Sequence, residues 1–188
     1  MEDVLDIIRE TRELLNSTFD AVDTWFDKDE ELREYKPVDG GWSVNQVLEH
    51  IGLTDHFLLI LINKGAEKAI RNADQLDLQT ELLNYHFHRD KLDEIGSRNF
   101  EWIRPSHMEP QGDKSPKEVR QQLRVQLNEC LCILDKLKNG EGVLCRTTMS
   151  VNELGKLDVY EYIYFLARHG QRHLKQMERV EAEFVLKK

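Results

Sequence analysis

The chain has 188 residues and carries 35 acidic against 26 basic side chains, a formal net charge of -9 at neutral pH. That balance argues against the basic face of a nucleic-acid binder, and no apolar run approaches the roughly 20 residues needed to cross a bilayer. One domain over residues 1–188 is expected, large enough to bury about 70% of its unfolded surface without disulfides or a structural metal.

The N-terminus, Met1-Glu2-Asp3-Val4, is acidic and unlike a secretory or transit peptide. Val4, Ile8, Thr11, Leu15, Phe19, Val22 and Phe26 then step by three or four, which predicts a first helix of about six turns. Glu34 to Gly41 reads as a loop, broken by Pro37 and by Gly40-Gly41. Ser43 with Gln46 three residues on forms a capping box, and Val47, Ile51, Thr54, Leu58 and Leu61 continue a second helix that Asn63-Lys64-Gly65 is expected to stop. Leu78, Leu82, Tyr85 and Leu92 predict one further helix in the middle region, ending near Gly96.

Arg104 to Gly112 is irregular and is expected to wrap a bundle end. Ser115-Pro116-Lys117-Glu118 is a second capping box with proline at the first helical position, where its missing N–H costs nothing. Val119, Leu123, Leu127, Cys130, Leu134 and Leu137 form the stripe of a long helix that ends at Asn139-Gly140. Val143–Ser150 holds the one short strand signal. Asp158, with Glu161 three residues on, caps the last helix. Four long amphipathic helices predict an all-α four-helix bundle with short extra helices in the middle insert. Cys130, Cys132 and Cys145 are an odd set, which fits a reducing cytoplasm and small side chains in or near the core better than a disulfide framework.

The most informative feature is His169 and His173 on the last helix. Residues at i and i+4 share a face, so both imidazoles can point at one divalent ion. Imidazole suits zinc, nickel, copper and iron. Tyr162, Leu166 and Gln176 lie on the same stripe, which makes Tyr162 and Gln176 candidates for holding the ligating rings. Gly170, mid-helix, either lets another element approach or is merely tolerated.

A third donor is available in His50, one turn after Gln46 on the second helix, where it can face the last helix or simply pack as a core or surface histidine. The sequence His169-Gly170-Gln171-Arg172-His173 lacks the glutamate after the first histidine that zincins use as a base, so a zinc-protease reading is disfavoured. Arg172 can pair with a substrate carboxylate or form a surface salt bridge. His56, His86, His88 and His107 are expected to lie outside the site.

Gly41-Trp42-Ser43-Val44-Asn45-Gln46-Val47-Leu48-Glu49-His50 resembles the W-S/T…H segment of the DinB-like bundles. The closing stretch from Leu154 through His169-Gly170-Gln171-Arg172-His173-Leu174-Lys175-Gln176 resembles that family's H-x-x-x-H-x-x-Q pattern. Met108-Glu109-Pro110-Gln111-Gly112 is similar to its connecting loop. The resemblance covers roughly Val4 to Val180 and implies an up-down-down-up bundle with a histidine triad holding nickel, zinc or a similar ion. By motif position the triad is His50, His169 and His173, with homodimers frequent in the family.

The resemblance also implies function, since the superfamily includes metal-dependent hydrolases and thiol S-transferases. Transfer of a low-molecular-weight thiol to a small-molecule electrophile is the favoured expectation. Metal-dependent hydrolysis, a non-catalytic metal-binding or stress-associated bundle, and a metal-free scaffold are the alternatives. Neither nucleic acid nor membrane is an expected partner.

Overall fold

The computed structural model describes residues 3–97, 105–149, 151 and 154–187. Four long helices dominate: α1 (Val4–Thr24), α3 (Val44–Ala73), α6 (Pro116–Lys136) and α7 (Val159–Lys187). The short helices α2 (Glu30–Glu34), α4 (Leu78–Leu83) and α5 (Arg89–Ile95) join them, with an antiparallel ribbon of β1 (Thr147–Met149) and β2 (Gly155–Leu157). Among the described residues, no helix is long and apolar enough to cross a membrane.

Each predicted capping box forms. Ser43 Oγ accepts from the Gln46 N–H at 3.3 Å, and Gln46 Oε1 returns the bond to the Ser43 N–H at 3.1 Å. Ser115 and Glu118 pair in the same way at the start of α6, with Pro116 inside the first turn. Asp158 and Glu161 do so at the start of α7, both bonds being 3.0 Å.

Cross-helix contacts establish the helix directions. Lys28, just beyond α1, pairs with Glu181 at 2.7 Å while Thr18 abuts Gly170, so α1 and α7 run the same way. Gly65 of α3 lies against Val159, and His50 against His169 and His173, so α3 runs opposite to α7. Gln122 donates to the Gly52 carbonyl and Asn63 to Glu129, which makes α3 and α6 parallel. Arg120 pairs with Asp23 and Arg12 with Asp135, so α6 is antiparallel to α1. The order is up-down-down-up.

The apolar seam between these helices supplies the cohesion. Ile7, Leu15, Leu48, Ile51, Leu134, Leu137, Tyr160, Tyr164 and Phe165 are among its fully buried members. Each contributes about 1.5–3 kcal/mol by leaving water. The half-exposed ion pairs between α1 and α6 add about 1 kcal/mol or less each, so packing, rather than charge, holds the bundle.

Several expectations need correction. The second long helix does not stop at Gly65. It continues to Ala73, because Ile62, Ala66 and Ala69 prolong the buried stripe. Gly65 serves close packing there, since a Cβ on it would sit 3.2 Å from Val159 Cγ2. The single middle helix is two, α4 and α5, separated by a stretch that buries Tyr85 and Phe87. There His88 gives both its backbone N–H and its ring nitrogen to Glu161 Oε1, at 2.9 and 2.6 Å. Within Val143–Ser150 only Thr147–Met149 is strand, and it pairs with the unforeseen β2; Val143 and Leu144 belong to a 3-10 turn, and Ser150 lies outside the described residues. Cys130 and Cys145 are buried as expected, but Cys132 is exposed. Burial pushes the Cys130 thiol up, away from the reactive thiolate.

Gly170 permits the close approach of α1 to α7. A Cβ there would lie 2.9 Å from Thr18 Cγ2, a methyl on a stiff β-branched side chain. Overpacking of this kind costs about 1–3 kcal/mol, against about 1 kcal/mol returned by removing a helix-interior glycine. Gly170→Ala in metal-free protein is therefore expected to lower Tm by roughly 2–4 °C. Adding Thr18→Ser should restore most of that loss in the same thermal scan.

Asp55 presents a different problem inside the core. It is 0% exposed, and neither carboxylate oxygen has a hydrogen-bond partner among the described residues. Desolvation therefore raises its pKa well above the ordinary carboxylate value. Asp158, equally buried, is pushed up to about 7 by burial and by the Glu161 charge. Between an unfolded value of about 3.9 and the raised folded value, the folded chain holds a proton that the unfolded chain has lost. Rising pH through that window favours unfolding. Asp55→Asn removes one such group, so its Tm advantage over the parent protein should grow as pH rises above about 4. A pH-independent difference would contradict this assignment.

Candidate metal centre

Two helices build the site. The Ser43 capping box sets the start of α3, and two turns later His50 projects into the bundle between Glu49 and Ile51, 1% exposed. On α7, running the opposite way, His169 and His173 sit one turn apart at 0% and 5% exposure. Potential ligand atoms of His50, His169 and His173 all lie within 4.8 Å of one another. Among the described residues this is the one group of three or more His, Cys, Asp or Glu side chains with such geometry.

Neighbouring groups orient the rings. The Nδ1 of His50 bonds the Met108 carbonyl at 2.7 Å, and Nδ1 of His173 bonds Gln176 Oε1 at 2.9 Å. A carbonyl oxygen only accepts, so each Nδ1 carries a proton, which in the neutral ring leaves the lone pair on Nε2. Nε2 of His173 lies 2.9 Å from Nε2 of His169. Burial, with His173, His50 and Arg172 as neighbours, holds His169 well below the ordinary histidine range, so it is neutral. A buried set of imidazoles turned toward one point is a donor set that suits zinc, nickel, copper or iron, and each outward Nδ1 bond is the support a ligating histidine commonly has. These residues fit a divalent cation.

Aromatic groups wall the site. Trp42 lies 4.8 Å from His50 between ring centroids, and Phe165, one turn before His169, is parallel to its ring. Gln176 thus takes the supporting place that its spacing predicted. Tyr162 does not: although buried, its hydroxyl reaches the Thr148 carbonyl of β1 at 3.2 Å. Arg172 donates to the Ser97 carbonyl at 3.3 Å. Helix α5 packs along the flank of α7, with Asp93 bonded to Tyr164 and Arg168, and Lys175 to the Gly96 carbonyl.

The other histidines lie elsewhere. His56 and His107 each meet Phe57 edge-on near the surface, His86 is exposed, and His88 serves Glu161. Sequence reasoning missed the Met108 carbonyl, Phe165 and Glu49 as parts of the site. A backbone carbonyl leaves no trace in residue type. The nearest signal was the position of Met108 in the connecting-loop segment.

Comparison with known proteins agrees with this architecture. A sequence profile described as the DinB superfamily matches residues 5–177. The chain is 25% identical over 167 residues to "Uncharacterized protein YuaE" of Bacillus subtilis (strain 168), covering 85% of this chain and 91% of that protein. No solved structure gives a significant match. With helices running up-down-down-up, three histidines gathered from α3 and α7, and a profile match over nearly its whole length, the chain belongs to the DinB superfamily.

Proposed function

We propose that this chain is a metal-dependent enzyme in which His50, His169 and His173 bind one divalent cation, nickel or zinc, and that it transfers a low-molecular-weight thiol to an electrophilic small molecule. The observation that carries the reading is the convergence of three buried imidazoles from two antiparallel helices. Three neutral ligands leave the charge of a cation undiminished, and three protein ligands are the number found in catalytic rather than closed structural zinc sites. A cation held there supplies Lewis acidity, drawing the pKa of a coordinated thiol toward neutrality.

The chain's own residues then have defined tasks. Met108 and Gln176 hold the outer nitrogens of His50 and His173, keeping the inner lone pairs aimed. Trp42 and Phe165 supply apolar walls that limit water around the rings. In the overall reaction a sulfur–carbon bond forms as the carbon–leaving-group bond breaks. The bonding pair departs with the leaving group and the thiol proton passes to solvent. Hydrolysis at the same centre is the alternative, because a bound cation would draw the pKa of water toward neutrality as it would that of a thiol; the preference for transfer rests on the family resemblance. The reading places the protein in the cytoplasm, where such thiols stay reduced, as a single domain that can pair with a second copy.

Two measurements test it. Untagged protein loaded with nickel or zinc should carry about one ion per chain by elemental analysis, the single site of the triad. His50→Ala, His169→Ala and His173→Ala should each retain little or none after the same dialysis, and retention at the parent level by any one removes that residue from the ligand set. Metal-loaded protein should also accelerate conjugation of a low-molecular-weight thiol, such as glutathione, to an electrophilic dye, and lose the rate with chelator. Metal-dependent ester cleavage without conjugation of any thiol would replace transfer by hydrolysis.

A further inference from the structure

Glu49 precedes His50 on α3 and is 7% exposed. A helix step of about 100° turns it away from the triad, so it is no ligand. Its carboxylate instead faces the segment between α5 and α6, where Oε1 accepts from the Gln111 N–H at 3.2 Å and Oε2 from the Gly112 N–H at 2.9 Å. Oε1 also lies 3.2 Å from the same Gly112 nitrogen. The backbone at Gly112 has φ +77°, the left-handed region that favours glycine. That conformation helps to turn two successive N–H groups toward one carboxylate.

The same segment touches the site at a second point. A 3-10 turn over Ser106–Met108, closed by the Met108 N–H on the Pro105 carbonyl at 3.0 Å, places the Met108 carbonyl 2.7 Å from His50 Nδ1. Glu49 and His50 are adjacent on α3, and their contacts, Met108 and Gln111-Gly112, are three and four residues apart on the loop. Two neighbouring side chains therefore grip one short loop. The carboxylate holds two successive backbone N–H groups, whereas the imidazole holds one carbonyl. The Met108 carbonyl bond decides which nitrogen of His50 carries the proton.

We propose that Glu49 is the positioning residue of this centre: by pinning Gln111 and Gly112 it keeps the Met108 carbonyl on His50 Nδ1 and so presents His50 Nε2 to the cation. The proposal rests on the reading of His50 as a ligand, and one of its two readouts needs no metal. Groups that orient a ligating histidine are typically worth 10–100-fold in metal affinity.

The experiment compares the parent chain with Glu49→Met, which keeps length and helix propensity but has no acceptor, and with Glu49→Gln, which offers one acceptor oxygen for two N–H groups. Nitrogen-15 chemical shifts of His50 in metal-free protein should show Nδ1 protonated in the parent and a mixture of tautomers in Glu49→Met. Zinc affinity, measured by competition with a chelating dye, should fall roughly 10–100-fold in Glu49→Met and by a lesser factor in Glu49→Gln. A Glu49→Met protein with parental zinc affinity and an unchanged His50 tautomer overturns the proposal. Should that variant fail to fold, Glu49→Gln decides on the same two readouts, parental values in both being the negative result. If the parent binds no zinc, the metal reading falls separately, and the tautomer shifts still judge the role of Glu49.

Discussion

The antiparallel contact between α3 and α7 is the constraint on which the candidate centre depends. It sets His50 opposite His169 and His173 in the interior of the bundle, where water is scarce and a charged imidazolium would be costly. Burial therefore does two things together. It keeps His169 neutral, and it gathers three imidazoles that could hold a cation.

Two close approaches maintain that contact. Gly65 of α3 meets Val159 at the start of α7, and Gly170 of α7 meets Thr18 of α1 directly beside the histidine pair. Both glycines lie within long helices, where local propensity disfavours them. Each is explained by the neighbour that a side chain would displace. The histidine pair is thus held at a fixed depth by backbone packing on the side of Gly170 and by the ring of Phe165 against His169.

A second layer of organisation comes from the chain outside the four helices. The 105–112 loop reaches across α3 to bond His50 and Glu49, and α5 lies along α7 through Asp93, Tyr164 and Arg168. These segments would read as padding on composition alone. Their contacts lie beside the histidines, and α5 also buries Leu92 and Ile95 in the core. The polar groups sealed deeper in the bundle, Asp55 above all, lack such partners and weigh on stability instead.

Much of this was determined by the sequence itself. Three capping boxes, the i, i+4 histidines and the 3.6-residue apolar stripes are local patterns, and local patterns are written in consecutive residues. They specified an all-α bundle, marked His169 and His173 and offered His50 as a third candidate, which the resemblance carried by Trp42 through His50 strengthened. Only tertiary structure decided the rest. Gly65 reads locally as a stop, yet burial of Ile62, Ala66 and Ala69 carries α3 past it. Tyr162 shares the stripe of the histidines, yet its hydroxyl is drawn to β1. The carbonyl that orients His50 belongs to a residue 58 positions away. Such outcomes depend on which surfaces meet when helices pack, and residue spacing within one helix does not encode the neighbour across the interface.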